Sequence, residues 1–92
     1  MNAERLAEKY IASAEHALDE LKVSDVCVNT DVGDIEEVVG SAKAYLEDAK
    51  YYGDKREFEV SLTSVAYCEG LLDALRLLGM VKFEWPTRRK ER

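Results

Sequence analysis

Residues 44–79 read AYLEDAKYYGDKREFEVSLTSVAYCEGLLDALRLLG, and their punctuation decides the fold. Apolar residues recur at the helical period on both sides of Gly53-Asp54. Gly53 lacks a Cβ and suits the left-handed position that closes a helix. Asp54-Lys-Arg-Glu57 then has the form of a capping box, with Asp54 bonding the free N–H groups of a new first turn and Glu57 reaching back. The two signals together predict a tight antiparallel helical hairpin. Its second helix runs from about 55 to 78 and stops at Gly79, with Met80 placed to pack back as in a Schellman motif.

Working outward, Asp34-Ile-Glu-Glu37 reads as another capping box, so the first helix of the hairpin should span about 34–52. Its stripe is Ile35, Val38, Val39, Ala42, Tyr45, Leu46, Ala49 and Tyr52. Further upstream Asn2 caps a helix over about 3–23. There Leu6, Tyr10, Ile11, Ala14, Ala17, Leu18 and Leu21 share one face, while Lys9, Ser13, His16 and Glu20 turn away. Residues 24–33, SDVCVNTDVG, are rich in turn formers and connect the two, with Val26, Cys27 and Val28 tucked against the bundle end. The predicted fold is all-α: a single antiparallel three-helix bundle over 1–86 with an extended C-terminal segment, followed by a basic tail, 87–92.

The last helix is apolar over more than half its girth. Phe58, Leu62, Val65, Cys68, Leu72 and Leu75 form the main stripe, and Val60, Tyr67, Leu71 and Leu78 widen it. Such a helix packs on two neighbours, or on one neighbour and another chain. Beyond it Val81, Phe83 and Trp85 alternate with Lys82 and Glu84, which reads as an extended segment laid on the bundle or on a second subunit. Leu71, Leu78, Val81, Phe83 and Trp85 are therefore the candidate interface residues.

Composition narrows the function. In 92 residues with 47% hydrophobic and 35% charged side chains, the chain has the balance of a small globular domain. Its longest apolar runs are too short to span a bilayer, and residues 1–10 lack the apolar core of a signal peptide, so a cytoplasmic location is expected. Cys27 and Cys68 are then free thiols. Net charge is −6, yet residues 80–92 carry five cations against two acids, which leaves −9 on the first 79. An acidic body disfavours broad contact with nucleic acid, and only Arg88, Arg89 and Arg92 in the tail could reach RNA phosphates.

The pattern Tyr45, Asp48-Ala49, Tyr52, Gly53-Asp54, then Ala66-Tyr67, Glu69-Gly70-Leu71-Leu72-Asp73-Ala74 and Leu78-Gly79 resembles the archaeal domain-of-unknown-function family DUF357, over residues 35–83. The resemblance implies a small three-helix bundle of archaeal origin and assigns no activity. Some members adjoin cytidylyltransferase-like domains, so the resemblance implies an accessory role in nucleotide chemistry as the alternative. The hairpin also resembles a single tetratricopeptide unit, but the chain has no second copy to stack on it. It resembles HEPN nucleases in length, but their Arg-x4–6-His motif is missing from the final helix.

No catalytic constellation emerges. Asp48 and Asp73 are the tempting carboxylates, but a turn at Gly53 sets them roughly 20 Å apart along the axis, with Asp73 beside the start of the second helix. Glu15, His16, Asp19 and Glu20 lie on one solvated helix, so a dedicated metal site is not expected. Tyr45, Tyr52 and Tyr67 border the stripes, where tyrosines bury the ring and keep the hydroxyl at the edge. Gly40 and Gly70 would make room for close helix approach. Phosphate loops, Cys-x2-Cys pairs and Ser/His/Asp sets are missing. The expectation is a non-catalytic module, without cofactor, that associates with itself or an unidentified protein. The alternative is a ligand-binding accessory domain.

Overall fold

The computed structural model describes residues 2–23 and 31–86. The expected loop residues Val26, Cys27 and Val28 and the basic tail 87–92 lie outside the described residues. The elements are α1 (Ala3–Glu20), β1 (Lys22–Val23), α2 (Val32–Asp54), α3 (Phe58–Leu77) and β2 (Val81–Lys82). The three helices form an all-α bundle in which α3 packs on both neighbours, most extensively on α2. The Cα envelope is a slab of 42 × 27 × 16 Å.

The core is built from the predicted stripes. Ile35, Val39, Ala42, Leu46 and Ala49 of α2 meet Val65, Cys68, Leu72 and Leu75 of α3. On α1 the buried positions are all small: Ala7, Ser13, Ala14 and Ala17. Ser13, expected to face away, is thus buried. The bulkier Tyr10, Ile11, Leu18 and Leu21 are half-buried at the edges and pack against the core.

Asn2 caps α1 as expected, accepting from the Arg5 N–H at 2.9 Å. The helix ends at Glu20, not Val23. Leu21 turns extended, and Lys22–Val23 pair antiparallel with Val81–Lys82, Val23 opposite Val81. Those residues exchange helical hydrogen bonds for a two-stranded ladder that draws the C-terminal segment back onto the bundle. At α2 the cap is Asp31, whose carboxylate accepts from the Gly33 N–H at 3.1 Å, so Asp34 lies within the first turn.

The hairpin turn also differs. The α2 helix continues through Gly53, and Arg56 takes the left-handed conformation at φ 62°. The Arg56 N–H bonds the Gly53 carbonyl at 3.0 Å and the Glu57 N–H bonds that of Tyr52 at 2.9 Å. These are the two bonds of a Schellman closure, formed with arginine in place of glycine. Glu57, not Asp54, precedes α3, and its side chain caps nothing. Gly53 lies inside α2, where an added Cβ would sit in ordinary contact with Ser61 Oγ at 3.4 Å. That buried hydroxyl donates to the Ala49 carbonyl at 2.7 Å and ties the two helices together. The end of α3 follows expectation, with Gly79 at φ 78° and Met80 N–H bonded to the Leu75 carbonyl at 2.9 Å.

Candidate functional site

Helical spacing divides α3 into two sides. Ser61, Val65, Cys68, Leu72 and Leu75 are buried. Rotated from them, Val60, Ser64, Tyr67, Leu71, Ala74 and Leu78 follow one another at alternating steps of four and three, the spacing of a coiled-coil seam. This seam is open to solvent at four of its six positions, with Ser64 and Leu71 half-buried. Val60 is 42% exposed, Tyr67 55% and Leu78 70%, and neighbouring Leu77 is 74% exposed. Leu77 was not among the expected interface residues. The signal that would have found it is its place seven residues after Gly70 on the seam's flank.

Tyr67 is held by a stack on Tyr45 of α2, with ring centroids 4.3 Å apart and planes at 22°. Counting outward from this stack, Tyr52 stands level with Val60 and Val38 with Ala74. Val38, Tyr45 and Tyr52 are half-buried and continue the apolar surface onto α2. Asp48 and Asp54 are exposed on α2. Among the described residues Gly40 and Gly70 give no close approach, since a Cβ at either would find nothing within 4 Å.

The structure does not bring Asp48 and Asp73 together. Asp48 stands level with Ser64, nine residues and about 14 Å along α3 from Asp73. Nor does Asp73 meet the start of α2. Its Oδ1 accepts from Trp85 Nε1 at 2.9 Å and lies 3.9 Å from Arg76. The turn centre at Arg56 displaces the hairpin register by about five residues from one centred on Gly53-Asp54, and that shift carries Asp73 to the level of Val39.

Three expected interface residues belong instead to a clamp within the chain. Val81 and Phe83 are buried in the core, and Trp85 is half-buried, edge-on to Phe83 at 4.8 Å. Arg76 Nε donates to the Phe83 carbonyl at 3.2 Å, and its other nitrogens reach Asp73 and Glu84. With β2 paired to β1, these bonds fasten residues 81–85 to the bundle. Leu71 and Leu78 remain on the outer side.

A cleft of about 270 Å³ opens between α1 and the hairpin turn, lined by Ala7, Ile11, Gly53, Phe58 and Ser61. It lies just below the usual size of a small-molecule pocket. Glu8, Glu15 and Asp54 stand at its walls, and Lys50 is already ion-paired with Glu15. The Glu15 hydrogen bond holds the Lys50 ammonium above its ordinary pKa, with burial opposing. An anionic ligand would meet net repulsion there. Burial pushes the Cys68 thiol up to about 11, with Glu69 adding to the effect, so it is no nucleophile at neutral pH. His16 Nε2 lies 3.1 Å from Glu20. Among the described residues no three His, Cys, Asp or Glu side chains group to hold a metal ion. No helix among them is long and apolar enough to cross a membrane.

Neither a curated protein nor a solved structure matches the chain. A family model described as "Protein of unknown function (DUF357)" matches residues 9–81, from the second turn of α1 to the start of β2. That span takes in the whole hairpin and its Tyr45–Tyr67 stack, and the chain belongs to the DUF357 family.

Proposed function

We propose that this protein is a non-catalytic association module that binds another protein surface through the outer face of the α2–α3 hairpin. One observation carries the reading: the seam from Val60 to Leu78 is apolar or neutral throughout, regularly spaced and open to solvent. Contiguous apolar surface of this kind marks interaction sites in soluble domains. The face is also rigid, because Ser61 and the tyrosine stack lock α3 to α2. A preformed face loses little side-chain entropy on docking.

The test compares the wild-type chain with Ala74→Glu as baits immobilised at equal density. Ala74 is exposed in mid-seam, so glutamate there keeps the helix and places a charge on the face. Wild type should retain a protein that the variant loses, while both show the same helical circular dichroism. Equal retention by the two baits would refute the reading.

A further inference from the structure

We infer that the occupant of this face is a second copy of the chain, docked across a two-fold axis that sets the two α3 helices antiparallel. The inference rests on the association reading above and names its partner.

The spacing is self-complementary. From Val60 to Leu78 the seam steps by four, three, four, three and four, so it reads alike from either end. An antiparallel copy brings Val60 level with Leu78 of the second copy, Tyr67 with Leu71 and Ser64 with Ala74. Large residues meet large ones, and the small pairs between them let the backbones approach. Gly70 lies next to the centre of this arrangement. Glycine in a helix interior is disfavoured against alanine, and among the described residues nothing comes within 4 Å of where a Cβ would stand. A facing helix supplies the neighbour that the monomer lacks.

Charge favours the same occupant. In a chain of net charge −6, identical surfaces can meet only where they carry no concentrated charge. No seam residue is an Asp, Glu, Lys, Arg or His. Asp34 and Asp48 lie on the rim of α2, and the antiparallel arrangement sets them level with Tyr52 and Val38 of the second copy. No acid then faces an acid.

The area is sufficient. Eighteen steps along α3 span about 27 Å, and two helices side by side are about 20 Å across. The face therefore offers about 500 Å² per copy, and the pair about 1,000 Å², where specific interfaces begin.

Sedimentation equilibrium on the full chain, from about 10 to 500 µM, tests this in the range expected of a small interface. The expected result is a species of twice 10.4 kDa that Ala74→Glu and, separately, Leu78→Glu weaken at least tenfold with unchanged circular dichroism. Orientation is read in a Cys27→Ser background: Ser64→Cys mixed with Ala74→Cys should oxidise to a cross-linked dimer faster than either alone. A monomer at every concentration would overturn the inference, as would a dimer indifferent to both glutamates or faster cross-linking of either variant with itself. If the monomer still retains a protein that Ala74→Glu loses, the second copy is wrong and the association reading survives. If it retains none, both fail.

Discussion

Leu71 and Leu72 are adjacent and chemically identical but differently placed. Leu72 is fully buried among α2 and α3 side chains, whereas Leu71 sits half-buried within the seam, where it meets the edge of the core. The same contrast separates Leu75 from Leu77 and Leu78 one turn later. The helix thus carries two apolar faces, one used by the chain's own core and one left for something else. Composition does not distinguish them. What differs is what stands opposite: α2 and α1 against the first, solvent against the second.

The largest effect should come from truncating each face in turn. Leu72→Ala removes a fully buried side chain and should cost about 2–5 kcal/mol. Leu78→Ala removes one already in solvent and should change the stability of the monomer by under about 0.5 kcal/mol. Urea unfolding at low micromolar concentration measures both. Comparable losses would mean that the outer face is also core, and the contrast would collapse.

Cys68 sharpens the comparison from the buried side. With its pKa at about 11 against an ordinary 9.0, the thiolate at pH 8 is about a hundredfold rarer than in an unperturbed cysteine. Alkylation by iodoacetamide in a Cys27→Ser background should be slowed at least that much, and urea should restore it. The linkage has a definite sign. The folded pKa is the higher one, so this group's contribution to stability is whole below pH 9 and is lost as pH rises through 11. Rapid alkylation of the native chain would place Cys68 on an accessible face.

The stripes were legible because three long segments with no proline inside or between them leave little but helix to form, and burial follows their period. The hairpin's existence was legible too. Its register was not, because Gly53 looks like a helix stop yet lies within α2, while an arginine closes the helix. Centring the turn on the wrong residue then misplaced Asp73 opposite the start of the second helix, a partner it does not have. The β1–β2 ladder was hidden for another reason. Two-residue strands show no alternation, and their pairing across some sixty positions is a tertiary event. On the candidate face, Leu71, Leu78 and Tyr67 were readable from the width of the apolar arc. Val81 and Phe83 could be assigned neither inward nor outward from sequence, because the ladder and the Arg76 bond that lay this segment on the core are tertiary contacts.

The smallest effect probes what decides which face of α3 turns inward. If the Schellman bonds at the turn set the register, then the residue at position 56 adds only strain, and relieving it should leave both faces unchanged. A left-handed L-residue costs about 1–2 kcal/mol, while glycine gives back about 0.5–1 kcal/mol through a freer unfolded chain. Arg56 also lies over the Phe58 ring at 5.2 Å and 3.8 Å from Glu4, in exposed contacts. Such pairs are worth a few tenths of a kcal/mol. Arg56→Gly should therefore gain about 0.5 kcal/mol, a rise of roughly 2–4 °C in Tm for a domain of this size. Alkylation of Cys68 should stay as slow as before, because Ser61, Val65 and Cys68 still face α2. A Tm that falls would show that the Arg56 contacts outweigh the strain. A Cys68 that becomes reactive would show that the arginine itself, and not the hydrogen bonds around it, orients the helix.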